Sequence, residues 1–238
     1  MGIPIYLAQT AAEFHQCDSV PEHFGWMACH FSPYGTGLSN LPDSLPAGSL
    51  ILVNDRTPIH GHDPTQIALE LTQVWESFQP VGFLLDFQRQ DCACAAALAE
   101  YLTKELPCPV GVSEQYAKGL NCPVFLPPVP PHISVAEYLS PWAGREIWLE
   151  AALEGLQLHI SEKGCNILPF SAGREEAFPH YDETLFCHYR IAKSEDALDF
   201  YLWRTVEDLS GLLHAAAGFG VTMSVGLWQE LQKPLIEG

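Results

Sequence analysis

The amino-acid sequence predicts an α/β fold: a single compact (β/α)8 barrel of the TIM type over residues 1–238, with incomplete helices and extra β-hairpins before the last strand. Three observations carry that expectation. Eight short apolar runs rich in β-branched and aromatic residues punctuate the chain, amphipathic stretches with helix-start residues lie between several of them, and nearly every run ends in polar side chains. Strands alternating with helices at this interval imply parallel pairing through right-handed crossovers, and eight strands suggest closure. An open α/β sheet with a β appendage is the competing architecture.

The first two strands are expected at Ile3–Ala8 and Gly25–Phe31, and the third at Leu50–Asn54. Asp63-Pro64 then opens a helix, Pro64–Phe78, whose Ile67, Leu71, Val74, Trp75 and Phe78 recur at helical spacing. The fourth strand, Val81–Phe87, leads to an Ala-rich helix from Asp91 to Leu106. Only Glu114–Cys122 separates the fifth run, Val110–Ser113, from the sixth, Val124–Leu126, which is too short a link for a full helix. Pro127–Pro131 reads as a stiff loop after the sixth strand, Ser134 opens a short helix to Leu139, and the seventh strand is Glu146–Ala151. Two hairpins follow: Leu156–Ile160 with Cys165–Phe170, and Leu185–Ala192 with Leu198–Arg204. Thr205 and Asp208 form a capping box for a helix Val206–Gly218, and the eighth strand is Val221–Leu227. A barrel of this type averages about 250 residues, so a chain of 238 leaves little for long substrate-gripping loops.

Composition narrows the function. Lys+Arg 11 against Asp+Glu 29 gives a formal net charge of −18. Nucleic acids and anionic membranes are therefore excluded as partners, because phosphate contacts need a basic face this chain cannot assemble. Eight cysteines would suit a disulfide framework, but the opening MGIPIYLAQTAAEF has neither a basic n-region nor a long apolar h-region, which points to the reducing cytoplasm. No stretch is long and apolar enough to cross a bilayer.

In such a barrel, catalytic residues come from the C-terminal ends of the strands and the loops beyond them. The relevant exits carry His30 and Tyr34, then Asp55, then Asp86, Gln88 and Arg89, then Glu114, Glu150 and Trp228. Residues two apart on a strand share a face, so Asp86 and Gln88 project together above Gly82 and Leu84, and Glu150 projects with Trp148. If both faces turn inward, two carboxylates meet at one mouth beside the Trp228 ring. An acid, a second carboxylate and an aromatic floor are what glycoside chemistry uses. The bland alternative binds Asp86 and Glu150 to backbone amides or to Arg56, Arg89 and Arg145.

The segment Val81-Gly82-Phe83-Leu84-Leu85-Asp86-Phe87-Gln88 resembles the fourth-strand signature of family 18 glycoside hydrolases, the chitinase-like barrels. Asp86 falls on that pattern's last aspartate, Phe87 on its aromatic, Gln88 on the catalytic acid, and Leu84 on the middle aspartate. Trp228 looks like the tryptophan that floors the sugar site in that family. An amide cannot protonate a leaving oxygen, so Gln88 cannot take over the family's acid role. Ile147-Trp148-Leu149-Glu150 is also similar to the seventh-strand nucleophile segment of retaining glycosidases whose acid/base lies on strand four. The resemblances imply a carbohydrate or other small-molecule ligand, Glu150 as nucleophile or base, and Asp86 as acid or electrostatic stabiliser. Gln88 would hold a sugar hydroxyl or acetamido group, Trp228 and Tyr34 would stack, and Glu114 and Asp55 would be reserve carboxylates, with His30 and Arg89 lining the ligand.

Three other readings compete. A metal-dependent hydrolase would gather His60, His62, Asp63, His30 and Asp86, although His60-x-His62 sits in a loop before a Pro-capped helix, where turn residues are expected. Cys92-x-Cys94 is too closely spaced for a zinc knuckle, and Gly35-Thr36-Gly37 lacks the third glycine of a phosphate loop, so no metal or cofactor is expected. A non-catalytic carbohydrate-binding or scaffold barrel accounts best for Gln88, and as a scaffold its mouth would be plugged.

Overall fold

The computed structural model describes residues 2–17, 19–171 and 178–231. Eight strands form the barrel: β1 (Ile5–Gln9), β2 (Phe24–Phe31), β4 (Leu50–Asn54), β5 (Gly82–Asp86), β6 (Val110–Ser113), β7 (Val124–Leu126), β8 (Ile147–Ala151) and β14 (Val221–Leu227). They pair in parallel in that order, and β14 returns to β1, so the sheet closes. A two-residue strand, β3 (Leu38–Ser39), adds antiparallel to the end of β2.

Strands buried on both faces must be apolar throughout, which is why Leu50, Ile51, Leu52 and Val53 run without a polar break. Alternation divides each strand between two cores. Tyr6, Ala8, Leu50, Leu52, Leu84, Phe125, Trp148 and Val225 pack inside the barrel. Ile51, Val53, Phe83 and Leu85 face outward against the helices. There α2 (Pro64–Phe78) presents Ile67, Leu71 and Val74, and α3 (Ala93–Glu105) presents Leu98 and Leu102. Asp63 caps α2 by accepting from the Thr65 N–H at 2.9 Å, with Pro64 in the first turn.

The remaining helices are short. A six-residue α1 (Ala11–Gln16), unanticipated from the sequence, starts at a Thr10–Glu13 capping box. The crossover after β6 makes one turn, α4 (Glu114–Ala117), and α5 (Val135–Leu139) is barely longer. α6 (Val206–Ala216) carries the expected Thr205–Asp208 box and runs on into a 3-10 turn, Ala217–Phe219. β1 is shifted from Ile3–Ala8 because the Pro4 carbonyl already receives the Ser224 N–H, and proline has no N–H with which to continue the ladder.

The hairpins are not two separate decorations. β9 (Gly155–Ser161), β10 (Gly164–Pro169), β11 (His180–Asp182), β12 (Cys187–Lys193) and β13 (Ala197–Trp203) form one antiparallel sheet in the order β10-β9-β13-β12-β11. This sheet is inserted between β8 and α6. Arg204, 1% exposed, fastens it to the loop after β7. Its guanidinium donates to the carbonyls of Val129 and Pro130 on the loop side and to Leu185 and Phe186 on the sheet side. The proline-rich stretch is thus a rigid acceptor surface for the insertion.

Candidate functional site

The lower half of the barrel is packed around one large ring. Trp148 points inward from β8, its Nε1 donating to Glu146 at 3.2 Å, and the inner faces of β5 and β6 make room for it with Gly82 and Gly111. A Cβ on Gly111 would fall within the indole, and one on Gly82 would stand 3.2 Å from Cη2 and 2.6 Å from the Pro109 carbonyl oxygen. Two residues beyond Leu84 and Trp148 on the same faces stand Asp86 and Glu150, so the alternation that buries the first pair delivers both carboxyls to the mouth.

A cavity of about 690 Å3 opens there, lined by Met27, His30, Asn54, Asp86, Gln88 and Arg89 among others. Its β2 wall is bulged: the register slips between Trp26 and Cys29, and the Asn54 amide donates to the carbonyls of Met27 and Cys29 at 3.3 and 3.0 Å. His30 is held on both sides. Its Nδ1 lies 2.9 Å from the Phe31 carbonyl and so carries the proton, which leaves Nε2 to accept from the Asn40 amide at 3.2 Å. A second cavity, about 100 Å3, is walled by Phe87, Gln88, Glu114, Phe125, Pro127 and Glu150. Gln88 borders both.

The carboxyls at this end are unusual for strand-end acids. Burial raises Asp86, the hydrogen bond donated by the Gln88 amide offsets part of that, and Asp55 adds a further upward push. Glu150 is pushed up to about 7, by burial first and then by Asp86, Glu154 and Glu230. Glu154 is raised by burial as well, against the pull of Arg204. Among the described residues, no arginine or lysine forms a salt bridge with Asp86 or Glu150. Arg89 donates to the carbonyls of Asp55 and Arg56, and Arg145 donates to those of Ala117, Leu120 and Cys122.

The other expected site residues divide. Glu114 opens α4 and walls the smaller cavity, with its carboxyl raised by burial. Asp55 borders the mouth, but its two oxygens are engaged: Oδ1 accepts from the Gln88 N–H at 3.0 Å and Oδ2 from the Arg89 N–H at 2.8 Å. It is a clamp that sets the loop after β5 rather than a reserve carboxylate. Tyr34 is 98% exposed and stands clear of the mouth cavity, because the loop carrying it is drawn toward α2, where Glu70 accepts the Leu38 N–H at 2.7 Å. Trp228 is the first residue of a helical turn after β14, half-buried and outside the lining of both mouth cavities. Sequence reasoning overlooked Glu154, which follows β8 without any pattern to mark it. It also overlooked Tyr138, whose hydroxyl donates to the Pro127 carbonyl at 3.0 Å beside the acids.

The metal alternative finds no cage among the described residues. His62 Nε2 bonds the Ser32 carbonyl at 3.0 Å and its ring packs on Phe31, while Asp63 is committed to the α2 cap.

The fold and site together define a class: a closed parallel (β/α)8 barrel with acids at the C-terminal mouth and an antiparallel insertion after the seventh barrel strand. Solved chitinase-type structures share the fold. The GH18 chitinase from Cycas revoluta, in complex with (GlcNAc)4, matches with a TM-score of 0.58 at 11% identity, over 98% of this chain and 96% of that chain. The class V chitinase from Nicotiana tobaccum, in complex with NAG4, matches at 0.58 and 10%, over 95% and 93%. The spore cortex-lytic enzyme SleL from Bacillus cereus matches at 0.56 and 9%, over 94% and 70%. At these identities the shared property is the fold. No protein-family profile and no curated protein sequence matches the chain.

Proposed function

We propose that the protein is a glycoside hydrolase-like carbohydrate binder that takes its ligand at the C-terminal mouth of the barrel. The observation that carries this reading is the pair of adjoining cavities bordered by Gln88, with Asp86 in one wall and Glu150 in the other, neither carboxyl held by an arginine or lysine among the described residues. Carboxylates and amides accept and donate to sugar hydroxyls. Gln88, bonded to Asp86, would hold a hydroxyl or an acetamido group.

Hydrolysis is a second reading, and the elevation of Glu150 to about 7 favours it, because such a carboxyl keeps a share of its proton at neutral pH. Glu150 would give that proton to the glycosidic oxygen as the bond to the anomeric carbon breaks. Asp86 would take a proton from the water that attacks the same carbon. This reverses the polarity expected from the seventh-strand resemblance, in which Glu150 was nucleophile or base.

The test is calorimetric titration with chito- and gluco-oligosaccharides, paired with chromatography of the products. Binding by the wild type, weakened about tenfold in Asp86→Asn, is the expected result. Turnover, if detected, should vanish in Glu150→Gln while binding survives. Absence of binding to every oligosaccharide would overturn the reading, and cleavage undiminished in Glu150→Gln would remove its assigned role.

A further inference from the structure

A barrel that alternates strand and helix seats its last helix on the outer face, between the eighth strand and the first. Here the described residues after β14 reach only a helical turn at 228–231. The consequence shows on β1. The outward side chains of β4 and β5, Ile51, Val53, Phe83 and Leu85, are wholly buried against the helices, whereas outward Ile5 and Leu7 of β1 are only half-buried. A groove of about 930 Å3 runs over them.

Its floor is Ile3, Ile5 and Leu7. One wall is the start of α6, with Glu207, Leu209 and Ser210, and the other is the end of the β1–β2 crossover, with Pro21, Glu22 and His23. Leu231 closes it toward β14, where a Cβ on Gly226 would stand 2.3 Å from the leucine Cδ1. The short α1 does not enter the lining, so the groove lies where an eighth helix would pack. Among the described lining residues, Glu22 and Glu207 are the acidic ones, one on each wall and both exposed, and none is a lysine or arginine. A second copy of the chain would bring the same two carboxylates to the contact on a body of net charge −18, which opposes self-association. An amphipathic helix with an apolar stripe for the floor and a basic residue on each flank satisfies both the shape and the charge.

We propose that this groove is the docking site for a basic-flanked amphipathic helix of a partner protein, which takes the seat of the eighth barrel helix. From Gly2 to Leu7 the chain rises about 17 Å at strand spacing, the length of about eleven helical residues. Apolar positions at i, i+3 or i+4 and i+7 on such a helix cover Ile3, Ile5 and Leu7. The groove shares no described lining residue with either mouth cavity, so the proposal stands independently of the carbohydrate reading.

The test titrates the whole protein with a synthetic helix of about fifteen residues that carries a leucine stripe and lysines on both flanks, followed by fluorescence anisotropy. The same peptide with glutamates on its flanks is the control. The wild type should bind the lysine peptide and not the glutamate peptide. Joint replacement Glu22→Lys and Glu207→Lys should weaken the lysine peptide about tenfold and admit the glutamate peptide. Ser210→Trp, at an exposed position of α6, places a ring in the groove and should abolish binding, with circular dichroism confirming that the variants are folded. Unchanged affinity in both variants, or no binding by the wild type at millimolar peptide, would overturn the proposal. A chain ending at Leu231 should bind as tightly as the full chain. A gain of about tenfold on removing residues 232–238 would instead assign the groove to the chain's own tail, and a dimer in sedimentation that the peptide dissociates would assign it to a second copy. Either result would overturn the partner helix.

Discussion

The two halves of the barrel interior are built from the same strands to opposite ends. On β5 the inner face runs Gly82, Leu84, Asp86, and on β8 it runs Trp148, Glu150. The lower half is packed: a 2%-exposed indole fitted over two glycines, with its N–H satisfied by Glu146. The upper half gathers carboxyls whose own burial and proximity raise their affinity for protons. One residue pair along a strand separates a group that stabilises the fold from one that burdens it. A like-charged, partly desolvated cluster is costly to maintain, and sites that bind or react are where such costs are found.

The contrast breaks most sharply at the plug. Trp148→Ala should cost about 3–5 kcal/mol, by loss of a large buried ring and the cavity left behind, and lower the melting temperature in circular dichroism by roughly 10 °C. Gly111→Ala tests the same fit from the other side: its methyl meets the indole, and the overpacking should cost about 1–3 kcal/mol. A mutant as stable as wild type would mean that the ring is free to move aside. Asp55→Ala sits between the halves in kind, since it strips two backbone N–H groups of their acceptor. It should cost about 1–3 kcal/mol in urea unfolding and also weaken binding at the mouth, because Gln88 and Arg89 lose their anchor.

The last effect has the opposite sign. Glu150 titrates higher in the folded protein than in the unfolded chain, so the folded state binds more protons between the two values. Its contribution to stability is therefore favourable only at low pH, and it is lost as pH rises from the ordinary glutamate range through about 7. Glu150→Gln should accordingly be up to about 3 kcal/mol more stable than wild type at pH 8 and no more stable at pH 4. Chemical denaturation at the two pH values checks this. A destabilised variant at pH 8 would show that the carboxylate is held by a favourable partner.

The strands were legible because parallel barrel strands are apolar on both faces, and runs such as Leu50–Val53 and Val124–Leu126 stand out without any alignment. Period-two alternation also put Asp86 on the face of Gly82 and Leu84 and Glu150 on that of Trp148, and left open whether those faces turn inward. α1 was missed because six residues are too few for an apolar stripe, although Thr10 and Glu13 carry its capping box. The clamp role of Asp55 left no local trace, since its partners Gln88 and Arg89 lie 33 and 34 residues away. Tyr34 was placed by strand-exit position, and Trp228 by that position and a family resemblance, which fix where a residue emerges but not how its loop folds back. Trp142, at the end of a 3-10 turn, lines a cavity of about 660 Å3 with Asp91, Ala96 and Glu114, residues so far apart in the chain that no local pattern links them.

The most direct measurement is a crystal structure of the protein soaked with chitotetraose. Sugar density in the mouth, within hydrogen-bonding distance of Asp86 and Gln88 and beside Glu150, is the predicted result. A clearly bound sugar elsewhere with the mouth empty, or no bound sugar at saturating concentration, would contradict the assignment of the mouth as the carbohydrate site.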